Sequence, residues 1–393
     1  MKITWVTRSF LDYRVPVYEE LNRAIGGKLT LLYYGGVVPE RVSQKIRRVL
    51  GQNAVALQGE WRLVGAPVVG GDFANRGVRI PYQRGLIAEA LRSRPDAVVS
   101  DGFFQWTYAA LWLRATQGVP HVMCYERTAH TECRAQWYRR AYRRAVLRWI
   151  DAMCCTGQLC GEYVAGLGFP ADRVTYGHMV ADVEGMRQAA AEVSDAQASG
   201  LAAQLVLRGL VFLYVGRLAP RKGLRELLHA WEAFSSPSTR EQATLLLVGD
   251  GPQRGELESF CATRGLTNVR FAGAVDYDAL GPFYRVADAF VIATLEDNWS
   301  LVVPEAMACG LPILCSKYNG CWPEYVTPEN GWVFDPLDVT DTSACLRRCL
   351  LARERLPDMG RQSQKIIARH TATHAAEAVL EACRIALRRR HRA

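Results

Sequence analysis

Short apolar runs alternate with longer amphipathic segments twice along this chain, and that alternation limits the possible folds more than any other feature. In the first 125 residues the runs 3–6, 29–34, 97–100 and 121–125 are separated by stretches of helical spacing at 15–24, 83–91 and 107–115. The cycle resumes at 210–215 and continues through the runs 243–249, 269–272, 289–293, 313–316 and 331–334, again with helix-like segments between them. Strands that alternate with helices predict parallel sheets covered on both faces. Two such α/β units are therefore expected.

At 393 residues the chain is long enough for two or three domains. Hydrophobic residues make up 49% and charged residues 22%, which excludes disordered, collagenous and low-complexity classes. Residues 186–208 are rich in Ala, Gln and Ser, which reads as a helix or linker between domains 1–185 and 209–370. The segment 371–393 has helical apolar spacing at Ala376, Val379, Leu380, Cys383 and Leu387 and ends in an Arg-rich tail. It is expected to pack across the domain junction.

Basic residues number 48 against 39 acidic, a net charge of +9, and only six of the 48 are Lys. Arginine suits phosphates and other anionic groups. No RNP-like, zinc-finger or helix-turn-helix pattern accompanies the charge, so nucleic acid is not an expected partner. Arg8, Asp12 and Arg14 interrupt any leader-like start, and no run approaches the roughly 18 apolar residues of a membrane span. A cytoplasmic protein is expected, one that meets a membrane only at its surface, peripherally at the inner face. The twelve cysteines form no C-x-x-C pair and read as reduced, mostly buried thiols. His370 and His374 lie one helical turn apart without the Glu of an H-E-x-x-H motif, so no metal site is expected.

Three stretches carry chemistry. In the first, the apolar run to Val215 ends in Gly216, and Arg217, Arg221 and Lys222 precede a helix starting near Leu224. A glycine permits close approach, a helix start offers free N–H groups and the cations supply charge, an arrangement that suits a pyrophosphate. In the second, the run 245–249 enters the turn Asp250-Gly251-Pro252, placing Gly249 at the carboxyl edge of the second sheet, where open α/β sheets bind ligands. In the third, Asp297 and Glu305 stand eight apart around a short loop, with Pro304 set for a first helical turn. A carboxylate there can accept the vicinal hydroxyls of a ribose. No P-loop pattern and no strand-linked G-x-G-x-x-G occurs.

The ordered set GRL-x-x-x-KG, LLLVGDGP, VRFAG, D-x7-E running into EAMACGLPI, Asn319-Gly320 with Pro323-Glu324, and Gly331 to Pro336 resembles the retaining GT-B glycosyltransferases of family 4. The resemblance is sharp over 210–340 and diffuse before it. It implies the GT-B fold: two Rossmann-like β/α/β domains facing across a cleft, the C-terminal helix crossing back to the N-terminal one. By position, Arg217 and Lys222 match the pair that grips the donor diphosphate, and Glu305 matches the second Glu of the family's E-x7-E motif, which holds the ribose. Asp297 stands where the first Glu would be, near the transferred sugar. Ser300, Leu301 and Val302 match the loop whose backbone addresses sugar and phosphate. Asp for Glu at 297 and Trp299-Ser300 for the common Phe-Gly are departures that bear on donor identity.

In the N-terminal half the loop 8–16 replaces the family's frequent Gly-Gly, and Arg14 there is placed to reach a phosphate or acidic acceptor. The family often has a His after the strand 121–125. That position holds Glu126, with His130 four residues on; either can orient a sugar hydroxyl or the acceptor. The run 134–150 places Tyr138, Tyr142, Ala145 and Trp149 on one helical arc and Arg139, Arg140, Arg143, Arg144 and Arg148 on the opposite one. Two readings follow: an interfacial helix on an anionic membrane, or an aromatic stripe facing the core with a solvated Arg face.

Taken together, the resemblance implies a metal-independent, retaining transfer of a sugar from a nucleotide diphosphate sugar, UDP-linked by family base rate, to a glycan or lipid-linked acceptor in bacterial surface polysaccharide or glycoconjugate synthesis. The sugar nucleotide is a substrate and no cofactor is expected. The alternatives are a GT-B enzyme of epimerase-like chemistry and a non-catalytic basic binding module.

Overall fold

The computed structural model describes residues 1–62 and 81–390. They form two compact units, the first from residues 1–62, 81–180 and 370–390 and the second from residues 181–369.

In the first unit seven strands make one parallel sheet: β1 (Ile3–Val6), β2 (Leu29–Tyr34), β3 (Ala54–Leu57), β6 (Ala97–Asp101), β7 (His121–Tyr125), β8 (Ala152–Cys155) and β9 (Val174–Tyr176). Their order is β3-β2-β1-β6-β7-β8-β9. A small antiparallel pair, β4 (Glu60–Arg62) and β5 (Pro81–Gln83), stands apart. Gln83 thus closes a strand instead of opening a helix as its spacing suggests. The helix begins at Leu86 because Gly85, at φ 81°, turns the chain in a way a side chain would resist. The central strands are buried on both faces, which is why they read as unbroken apolar runs.

In the second unit the strands β10 (Leu210–Val215), β11 (Ala243–Val248), β12 (Val269–Gly273), β13 (Ala289–Ile292), β14 (Ile313–Ser316) and β15 (Gly331–Phe334) pair in parallel in the order β12-β11-β10-β13-β14-β15. Both sheets reverse strand order once, between β1 and β6 in the first and between β10 and β13 in the second. Loops diverge at such a point, leaving a crevice at the carboxyl ends of the strands.

The chain passes from the first unit to the second after Val180, before the expected 185. The segment 186–208 is not a bare linker. It contributes to two helices, Val183–Ala191 and Asp195–Gln204, counted with the second unit. Asp182 caps one, and Ser194 with Gln197 forms a capping box on the other. At the other end, the helix Ala372–Arg390 folds with the first unit, burying Ala376, Val379, Leu380 and Cys383 in the core shared with Tyr18 and Leu21. Thr175 Oγ1 donates to the Ala378 carbonyl at 2.9 Å and fixes its position along β9. Among the described residues no helix is long and apolar enough to cross a membrane.

Candidate functional site

In the second unit the candidate residues Gly216, Lys222, Asp297 and Ser300 gather at the reversal between β10 and β13. Gly216 follows β10 and Gly249 follows β11; a Cβ on Gly249 would collide with the Gly216 carbonyl, so the two loops touch backbone to backbone. The β10 loop is tied to the β13 loop twice. The Arg221 carbonyl accepts from the Leu295 N–H at 2.9 Å, and Lys222 Nζ lies 2.5 Å from Asp297 Oδ2. Asp297 also accepts from Ser300 Oγ at 2.7 Å and from the Trp299 N–H at 3.2 Å, while its carbonyl takes the Gly320 N–H at 2.9 Å.

Burial on its own would raise the Asp297 carboxyl, but the Lys222 charge and the hydrogen bonds from Lys222 and Ser300 outweigh it and hold the group below its usual range. Glu305 is tuned the other way. It is buried in the short helix Val302–Ala308, and loss of water pushes it up to about 7 although Tyr284 donates to its Oε2 at 3.1 Å and Tyr277 is a second hydrogen-bonding neighbour. One carboxylate is firmly ionised and the other is poised near neutrality.

The first unit has its own concave site. A cavity of about 320 Å³ opens at the carboxyl ends of β1, β6, β7 and β9, lined among others by Arg14, Asp101, Glu126, Arg143 and His178. Arg14 is buried, 3.5 Å from Asp101 and over the Trp5 ring. Arg143 is buried too, 2.5 Å from Glu132 and donating to the Tyr163 hydroxyl at 2.9 Å.

Comparison with known proteins assigns the lineage. A family model described as glycosyl transferases group 1 matches residues 203–366, and one described as a glycosyl transferase 4-like domain matches residues 40–178. The chain belongs to the group 1, family 4 type of GT-B glycosyltransferases. It is 29% identical over 191 residues to the O-antigen chain mannosyltransferase B of Escherichia coli, covering 48% of each chain. It is 30% identical over 178 residues to a D-inositol 3-phosphate glycosyltransferase of Catenulispora acidiphila, covering 43% of this chain and 42% of that one. The matched stretches therefore span less than half the length of either curated relative. In fold, the Anabaena protein HepE in complex with UDP is similar at a TM-score of 0.72 over 97% of this chain and 99% of its own, with 16% identity.

Against this glycosyltransferase frame, Lys222, Asp297, Ser300 and the backbone at Gly216 meet at one sheet edge, as their spacing suggests. Arg217 is exposed, and its carbonyl accepts from the Tyr214 hydroxyl at 3.0 Å. Leu301 ends the loop, whereas Val302 is already the first residue of the helix that carries Glu305, because the chain turns helical ahead of Pro304. Glu126 lines the cavity of the first unit. His130 sits in the following turn, which Thr128 and Thr131 brace with reciprocal hydrogen bonds. Sequence reasoning missed Tyr284, Asp101 and His178, since nothing local marks a residue whose partner lies on a distant element.

The basic helix departs from the core-facing reading, and one of its arginines departs from the solvated arc. It spans Trp137–Val146 with a 3-10 turn at Leu147–Trp149. Its aromatics do not face a core: Trp137 is 80% exposed and Trp149 40%, with Tyr138 and Tyr142 also exposed. Arg143 does not belong to the solvated arc, being 2% exposed, because Glu132, Tyr163 and the rings of Phe103 and Phe104 enclose it. Arg139 lies over the Phe104 ring, while Arg140, Arg144 and Arg148 are exposed.

Proposed function

We propose that this chain is a retaining glycosyltransferase that moves a sugar from a UDP-linked donor to a hydroxyl of a glycan or lipid-linked acceptor. The single observation that carries the reading is the Lys222–Asp297 pair at the strand reversal of the second unit, beside backbone loops packed too closely for any side chain at Gly249. The names of the relatives, a mannosyltransferase and an inositol-phosphate glycosyltransferase, and the UDP complex of HepE support it.

In this reading Arg217 and Lys222 meet the charge that grows on the leaving diphosphate, and the Gly216 backbone lets the pyrophosphate approach. Glu305 accepts the ribose hydroxyls. Asp297, kept ionised by Lys222, faces the transferred sugar. The bond from the anomeric carbon to the diphosphate breaks as the bond to the acceptor oxygen forms on the same face, and the acceptor proton passes to the departing phosphate oxygen. The chain supplies fixed cations, so turnover without divalent metal is part of the proposal. A panel of UDP- and GDP-sugars, read by thermal shift with and without EDTA, tests it. Stabilisation by UDP-sugars that survives EDTA supports the reading, and no shift with any nucleotide refutes it.

A second element concerns place of action. Exposed Trp137, Tyr138, Tyr142 and Trp149 beside Arg140, Arg144 and Arg148 suit an anionic interface, with aromatic rings at headgroup depth and guanidinium groups on phosphate. This supports work on lipid-linked acceptors for surface polysaccharide or glycoconjugate assembly.

A further inference from the structure

Asp297 is held by more than its ion pair. Its Oδ2 takes both Lys222 Nζ at 2.5 Å and Ser300 Oγ at 2.7 Å, while Oδ1 takes the Trp299 N–H at 3.2 Å. The backbone beneath is fixed separately: the Asp297 carbonyl accepts from the Gly320 N–H at 2.9 Å, and the two loops pair in parallel at Asp297 and Asn319. Only the side-chain torsions of Asp297 are left to the three donors.

These donors differ in how firmly they are placed. The Trp299 N–H belongs to the backbone, and Ser300 is a buried residue of the same loop with a short side chain. Lys222 comes from the loop after β10, on a flexible four-carbon stem whose compact charge other anions can attract. In the reading above, the donor diphosphate is such an anion. An ammonium turned toward phosphate serves Asp297 less, and a largely buried carboxylate that loses its cation takes up a proton or moves. Ser300 opposes both outcomes. With it, each carboxylate oxygen keeps one of the three donors when Lys222 leaves, Oδ1 from Trp299 and Oδ2 from Ser300. A residue without a hydroxyl at 300 would leave Oδ2 with none of them.

We propose that Ser300 is a positioning residue whose hydroxyl holds the Asp297 carboxylate in place while Lys222 changes partner from that carboxylate to the donor diphosphate. The proposal rests on the glycosyltransferase reading above and deepens it. It gives the Ser300 side chain a task of its own, beside the backbone role implied by its place in the loop, and it makes Lys222 a cation used in turn by two anions.

A double-mutant cycle in the full chain tests the proposal, because Lys222→Ala imitates the departure of the ammonium. The parent, Lys222→Ala, Ser300→Ala and the double variant are compared by urea denaturation at pH 8 and pH 5. At pH 8, Ser300→Ala is expected to lower the folding constant at least about fivefold more in the Lys222→Ala background than in the parent. A serine that merely braces its loop would give equal losses in both. The excess should shrink at pH 5. Once both donors are gone, burial raises the folded Asp297 carboxyl above its unfolded value, so the penalty grows as pH rises from about 4. The other titratable groups that act with Asp297 are Arg221 from the loop of Lys222, Tyr214 from β10 and Cys321 beyond β14, and they are present in all four proteins.

Calorimetric titration with UDP supplies a second measurement that needs only the single variant to fold. Ser300→Ala should bind UDP about fivefold more weakly than the parent at pH 8, because capture of Lys222 then strands Asp297, and the two affinities should converge toward pH 5. Additive losses in the cycle, a coupling that is the same at both pH values, or equal UDP affinities at pH 8 would each overturn the proposal. UDP binding by the parent separates the two claims. If UDP binds and the variants behave independently, only the role of Ser300 falls; if the parent binds no UDP, the glycosyltransferase reading falls with it.

Discussion

Lys222 Nζ rests 2.5 Å from Asp297 Oδ2, joining the loop after β10 to the loop after β13 where the second sheet reverses its strand order. The contact does two jobs. It fixes a cation at the crevice, and it keeps a largely buried carboxylate charged.

Replacing Lys222 by Ala should lower turnover by at least about a hundredfold, because a positioned charge on a leaving group contributes on the order of 3 kcal/mol. It should also cost about 1–3 kcal/mol of stability by stranding Asp297, measurable by urea denaturation. The folded carboxyl of Asp297 lies below its unfolded value, so its stabilisation is complete above about pH 4 and fades as pH falls further. Unchanged turnover in the variant would remove Lys222 from the diphosphate site.

Glu305 gives the opposite pH signature. Burial raises its carboxyl from the usual 4.5 to about 7, so the folded protein holds this proton more tightly than the unfolded chain does. Stability from this group is then lost as pH rises between about 4.5 and 7, by up to about 3 kcal/mol. Glu305→Gln should therefore gain in melting temperature relative to the parent at pH 8 compared with pH 5. Nucleotide affinity should rise through pH 7 in the parent and be flat and about tenfold weaker in the variant, since an ionised carboxylate accepts two hydroxyls.

Two arginines on one helix should behave as different residues. Arg143→Ala leaves Glu132 buried without its ion pair and should cost about 3 kcal/mol or more. Arg144→Ala, at an exposed position, should stay within about 0.5 kcal/mol. Equal losses in parallel denaturation curves would contradict the burial described here.

Vesicle flotation addresses the exposed face of the same helix. Recovery should rise with the fraction of anionic lipid, drop with salt, and fall by about fivefold per removed cation among Arg140, Arg144 and Arg148, at roughly 1 kcal/mol each. Trp137→Ala should weaken binding in neutral as well as anionic vesicles. Equal recovery in neutral and anionic vesicles would dismiss the electrostatic part.

The helical wheel for Trp137–Val146 shows how far sequence reasoning carries. Periodicity puts Tyr138 and Tyr142 on one arc correctly, but a wheel has no reference direction, and it cannot say which arc meets protein. That was decided by Glu132 and Tyr163, which drew Arg143 inward and left the aromatics outside. The strands β3, β8 and β9 escaped notice for a related reason: β3 and β9 are only partly buried or exposed along much of their length, and β8 directly follows the basic run.

The alternation of apolar runs and the order of the motifs from Gly216 to Pro336 were enough to specify two parallel-sheet units and the glycosyltransferase family, because period, glycine placement and helix starts are local properties of a chain. What only the tertiary structure decided was which groups meet: Lys222 with Asp297, Tyr284 with Glu305, Arg14 with Asp101, and His178 with the carbonyl of Tyr125. Those contacts join residues 21 to 87 positions apart on different elements, and their protonation states follow from burial, a quantity that exists only once the chain has closed around them.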